Sequence, residues 1–236
     1  MKPYVLVIAL LFPAFSFAQS PVPQYSSVVS VRELALPPKA ARALEKGTAL
    51  LKNNPQASVS YFQTAIALAP DSFHAYHNVA IAHYRLGDVE DAEQEFRRSI
   101  ELSRGSFAPS LFGLSVILYQ RGEFLQAELL TQKGLLATPS SAVGKYCLGL
   151  VQFALGQIPE AEHSALDAIH LDPAQADGDV YLLLARIHER QNDPDAVVAD
   201  VGAYFKRSRK RRLQADAQGL LERAQQNLGR FSTAIN

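Results

Sequence analysis

Residues 71–104 read DSFHAYHNVAIAHYRLGDVEDAEQEFRRSIELSR. Two amphipathic segments lie on either side of Leu86-Gly87-Asp88. Apolar residues recur in each at helical spacing. Gly87 can take the left-handed conformation that ends a helix. Ala92 and Ser99 put small side chains at two points of the second segment, where a paired helix can approach closely. Outward from this stretch the pattern repeats. Gly87, Gly122 and Gly156 are spaced by 35 and 34 residues. Ala92, Ala127, Ala161 and Ala196 are spaced by 35, 34 and 35, and Ala65, Ser99, Gly134 and Ala168 by 34, 35 and 34. Pro70, Pro139 and Pro173 keep the same phase, with Arg104 where one proline is missing. A fixed period of this length marks a repeat architecture.

These residues resemble the tetratricopeptide repeat (TPR). Ala75-Tyr76-His77-Asn78-Val79-Ala80, Leu86-Gly87-Asp88, Ala92, Phe96 and Ser99 follow its motif. So do Leu114-Ser115, Gly122, Ala127, Gly134 and Pro139, and then Leu148-Gly149, Leu155-Gly156, Glu160-Ala161, Ala168 and Asp172-Pro173. The first repeat keeps Phe62, Ala65 and Pro70 around a shortened turn at Asn53-Asn54. The fifth puts Asn192-Asp193-Pro194 at its turn. The expected fold is therefore all-α: a TPR-like solenoid of five helix pairs at 39–70, 71–104, 105–139, 140–173 and 174–208. Degenerate end repeats fit such a stack. A capping helix is expected from Leu213 to Leu228, stopped by Gly229, within a junction-and-cap segment 209–229 and ahead of a tail 230–236.

The resemblance implies a concave groove lined by the first helix of each pair. Those positions hold His77, Ile81 and Tyr84, then Phe112, Val116 and Tyr119, then Tyr146, Leu150 and Phe153. His74 precedes this stripe, and Val180, Leu184 and Ile187 continue it. The stripe is aromatic and aliphatic, which suits an apolar segment of a protein or peptide partner. Coverage by the chain's own arm, Val28 to Leu36, and plain internal packing are the alternatives. The lysine-and-asparagine clamp of chaperone-binding TPR modules is not reproduced, and Asn78 is an isolated match.

The N-terminus carries Lys2, an apolar run from Tyr4 to Phe15 interrupted by Pro13, and Ser16-Phe17-Ala18 before Gln19. That order of charge, apolar run and small residues is a secretory signal, expected over 1–18, with an uncleaved anchor as the alternative. Pro21, Pro23, Pro37 and Pro38 make 19–38 an extended arm. The protein is expected to be exported to a bacterial periplasm. A single cysteine, Cys147, excludes an internal disulfide framework.

Overall the 236 residues carry 23 Lys+Arg and 23 Asp+Glu, and 48% are hydrophobic, which excludes global disorder. The neutrality is an average. Lys206, Arg207, Arg209, Lys210, Arg211 and Arg212 crowd into seven positions; outside them and residues 1–18, 16 cations face 23 anions. The basic patch could meet an anionic lipid or glycolipid surface of the envelope. It lacks interleaved aromatics, and no nucleic-acid partner is expected. His74 and His77, one turn apart with Asp71 before them, could begin a metal site or an enzymatic module. No Gly-x-Ser-x-Gly, Walker or Gly-x-Gly-x-x-Gly motif occurs, so no catalytic residue and no cofactor are assigned. The function these features suggest is a non-catalytic interaction scaffold or adaptor.

Overall fold

The computed structural model describes residues 36–173, 178–208 and 213–234, with side chains as far as 228. The expected signal peptide, nearly all of the arm and residues 209–212 of the basic run lie outside the described residues. Among the described residues the secondary structure consists of eleven α-helices. They are α1 (Pro38–Leu50), α2 (Pro55–Leu68), α3 (Phe73–Leu86), α4 (Val89–Leu102), α5 (Ala108–Gln120) and α6 (Phe124–Ala137). Then follow α7 (Ala142–Ala154), α8 (Ile158–Leu171), α9 (Gly178–Gln191), α10 (Pro194–Arg207) and α11 (Gln214–Ala234). None is long and apolar enough to cross a membrane.

The turns explain the period. Gly87, Gly122 and Gly156 have φ of 93°, 81° and 79°, and Asn192 takes the same left-handed role in the fifth pair at φ 60°. Each is followed by a residue whose N–H reaches back across the helix end. Asp88 N donates to His83 O at 3.0 Å, and Glu123 N to Leu118 O, Gln157 N to Gln152 O and Asp193 N to His188 O at 2.9 Å. This closes each first helix on its own orphan carbonyls. Proline then fits the first turn of α2, α5, α8 and α10, where no N–H is needed. Asn54, Ser72, Ser141 and Asp193 cap α2, α3, α7 and α10 through their side chains.

The two helices of each pair pack together, and each second helix packs on the next first helix. First helices also touch their successors: α3 meets α5, α5 meets α7 and α7 meets α9. The first helices therefore form the inner face of the stack and the second helices the outer one. One apolar cluster runs from Ala80, Ile81 and Tyr84 through Phe96, Leu114 and Ile117 to Val151, so it spans three repeats. At the far end α11 lays Ala217, Leu220 and Ala224 against Leu182, Ala185, Val197, Val201 and Tyr204. That contact covers the last repeat, as a capping helix should. The helix does not stop at Gly229, as its sequence suggested, but continues to Ala234. A lone glycine weakens a helix without ending it unless the chain turns left-handed there.

Candidate functional site

The inner face is built from first-helix positions, and packing divides the nine predicted groove residues into two groups. His77, Ile81, Tyr84 and Phe112 are buried, and Val116, Tyr119, Tyr146, Leu150 and Phe153 are half-buried. Phe112 sits where it does because Gly134 and Gly144 leave room. A Cβ on either would stand about 2.4 or 2.5 Å from its ring. Its ring therefore fills the joint between α5, α6 and α7. Val116 and Tyr119 pack at the margin of the three-repeat cluster. Tyr146, Leu150 and Phe153 edge the next cluster, against Ala161, Ala165 and Leu184. These five side chains form a half-covered aliphatic and aromatic strip on α5 and α7.

The strip has polar margins. The Arg190 guanidinium lies 5.5 Å from the Phe153 ring centre, within range of a cation–π contact. Arg186 pairs with Asp216 of α11 at 2.5 Å. Burial raises the Tyr119 phenol above its ordinary range, and the nearby Arg186 pulls the other way. Tyr146 is raised further, by burial first and then by the charge of Asp179. Both phenols therefore stay neutral and can donate hydrogen bonds. Gln120 Nε2 donates to the Tyr84 hydroxyl, tying α5 to α3 along the same face.

His74 and His77 have a different environment from the one a metal ligand needs. Phe107, from the segment before α5, packs 4.3 Å from His74 and 5.2 Å from His77, ring centre to centre. Burial lowers His74 to about 4, and burial with the nearby His74 lowers His77 to about 3. Both rings are neutral at physiological pH. Around His77 runs a buried hydrogen-bonded chain. His77 Nδ1 is 3.0 Å from Ser110 Oγ, which is 2.7 Å from Ser99 Oγ, and Ser99 donates to Phe73 O at 2.8 Å. A carbonyl can only accept, so the chain has one direction. Ser110 donates to Ser99, and His77 donates from Nδ1 to Ser110. The histidine thus ties α3 directly to α5, and the two serines carry the chain on to α4 and back to the start of α3. Among the described residues no three His, Cys, Asp or Glu side chains converge as a metal site. Phe107 and Ser110 carry no mark in the sequence pattern. Ser99 was visible as a small residue of the repeat, but its partner at Ser110 lies across a repeat boundary.

Further histidines occupy one repeated position. His83 Nδ1 lies 2.9 Å from Glu95, and His188 Nδ1 lies 2.6 Å from Asp200. Between them, Ser164 donates to Gln152 at 2.7 Å in the same register, twelve residues apart. Leu118 and Leu130 hold that place in the third repeat and pack in its cluster. Burial raises Glu95 to about 7 and raises Asp200 as well, with the facing histidine pulling each down. These pairs pin the two helices of a repeat to each other. Cys147 is buried against Phe112, and burial pushes its thiol up to about 12, which makes it inert. Of the basic run, Lys206 and Arg207 are exposed at the end of α10, where cations suit the helix C-terminus. Arg207 stacks 4.7 Å from the Tyr181 ring centre. Arg209, Lys210, Arg211 and Arg212 lie outside the described residues.

Comparison with known proteins agrees with this architecture. No curated protein sequence matches the chain. Solved structures share the fold at low identity. A thermophilic TPR protein of Thermus thermophilus is 20% identical, with a TM-score of 0.62 over 80% of this chain and 98% of that one. PilF of Pseudomonas aeruginosa is 15% identical, with a TM-score of 0.64 over 82% and 91%. The APC/C hetero-tetramer Cut9–Hcn1 is 16% identical, with a TM-score of 0.64 over 84% of this chain and 42% of that chain. A family model for the tetratricopeptide repeat matches residues 44–109 and 146–201. With the period, the left-handed helix ends and the stacked pairs in agreement, the chain belongs to the tetratricopeptide repeat family.

Proposed function

We propose that this protein is a non-catalytic adaptor of the bacterial cell envelope that holds an apolar segment of a partner protein on its inner face. The TPR fold is in general a scaffold for protein–protein interaction, and Cut9–Hcn1 is a hetero-tetramer on a related fold. The observation that carries the finer reading is the strip Val116, Tyr119, Tyr146, Leu150 and Phe153. These five are left half-covered on the face that the first helices form. Such a strip gains from burying apolar surface, and its phenols and Arg190 can orient the backbone of a bound segment. The N-terminal signal pattern supports export, and with it an envelope partner.

The test is capture from an envelope extract with purified protein, comparing the native chain with a Leu150→Glu, Phe153→Glu variant. Both positions are half-buried, so the variant keeps the core. Circular dichroism confirms that it stays folded. Loss of the captured partner in the folded variant supports the inner face. Retention of the same partner removes it. Binding of anionic vesicles that vanishes at high salt would favour the basic patch instead.

A further inference from the structure

Among the described residues the second helices expose single large apolar side chains at Leu68, Leu166, Leu171 and Phe205, 38–49% exposed, and a far more exposed group on α6. Leu125, Leu129 and Leu136 of α6 are 72, 67 and 84% exposed. With Gln132, also exposed, they are spaced by 4, 3 and 4 residues. At 100° per residue the four side chains fall within an arc of about 60°, over about 16 Å of helix. The same four positions on α4 hold Glu90, Gln94, Arg97 and Glu101, all exposed. The repeat does not require leucine there, and solvent penalises it. Spacing of this kind is the seam of a two-stranded coiled coil.

The charges beside the seam select the occupant. Glu128 and Lys133 lie on opposite flanks of the stripe, at the positions just before and just after two seam residues. Glu128 also stands in the register of Glu93 and Glu162. Glu93 is clamped by Arg97 and by Arg121 of the next pair. Glu162 is met by His188 at 3.4 Å and by Gln191 at 2.5 Å, again from the next pair. For Glu128 the next pair offers Leu155-Gly156, which bring no cation. Among the described residues Glu128 and Lys133 make no ion pair.

We propose that the α6 stripe is the contact between two copies of this chain, joined by a two-fold axis along α6 so that the two helices run parallel. This axis exchanges the flanks. Glu128 of one copy then meets Lys133 of the other, five residues further on, and the pair occurs twice. Each leucine faces its own copy, and Gln132 faces Gln132 as a polar register mark. An antiparallel arrangement would instead set Lys133 on the flank of the second Lys133 and leave Glu128 without a cation. A two-fold axis also closes the assembly at a dimer.

The test uses the full chain. Gln132→Cys should give a disulfide-linked dimer under mild oxidation, while Gln94→Cys, at the α4 position that matches Leu129 of the seam, should not. Cys147 is buried and does not compete. In sedimentation velocity the native chain should show a concentration-dependent dimer, and Leu129→Glu should be monomeric. Glu128→Lys and Lys133→Glu should each raise the dissociation constant about tenfold, and the double reversal should restore it. A native chain that stays monomeric would overturn the proposal, whether or not it binds lipid vesicles. So would a dimer that survives Leu129→Glu. Preferential cross-linking of Leu129→Cys with Gln132→Cys would overturn it too, because that pairing is antiparallel.

Discussion

His77 shows how one side chain can be read from sequence and still be misplaced. Its position on the first helix was legible from the repeat register. Its burial was not, because the ring that covers it belongs to Phe107, one repeat later, and no local pattern announces that contact. Its neutral state has a consequence for acid stability. A histidine held at about 3 in the fold and at 6.5 when unfolded binds its proton preferentially in the unfolded chain. The stability it contributes is whole above pH 6.5 and is lost as pH falls toward 3. By pH 4 the loss from this residue is about 3 kcal/mol. Chemical denaturation followed between pH 7 and 4 should show this fall, and a His77→Phe variant should flatten it. An unchanged slope in the variant would place the acid sensitivity elsewhere. Phe112 makes a second case at this scale. The structure turns it from a groove residue into the plug of a joint, and Phe112→Ala should cost about 3–5 kcal/mol by urea denaturation.

At the scale of the element, the helix ends were the most legible feature of the chain. Gly87, Gly122 and Gly156 recur because the left-handed turn recurs, and the backbone puts them there. Gly122→Ala should therefore cost about 1–2 kcal/mol, although nothing stands within 4 Å of its Cβ position. Gly202 lies inside α10 with equally open surroundings and no positive φ. There the same substitution should stabilise by about 0.5–1 kcal/mol. Thermal melts of the two variants should move in opposite directions. What the pattern did not reveal was the extent of α11, since a glycine near a helix end has the same letter whether the helix stops or passes through. The outward leucines of α6 were legible at helical spacing, yet a reading centred on the first helices passes over them.

In the whole molecule each helix pair touches its neighbours, so the stack behaves as a chain of nearest-neighbour contacts. The inner face belongs to first helices and the outer face to second helices, so an apolar strip on each can serve a different partner. The basic run near Ser208 and the acid-rich repeats make the molecule electrically lopsided, which the net charge conceals. The period sufficed to identify the family, because every repeat restates the same constraint. The site was legible only in part, because exposure on the inner face depends on how neighbouring repeats close over it. Whether the inner face holds a partner is decided by cross-linking in living cells with a photoreactive residue in place of Leu150 or, separately, of Gln94. A partner held on the inner face should give a discrete protein adduct from Leu150 and none of the same size from Gln94. No adduct from Leu150, or the same adduct from both positions, would contradict binding there.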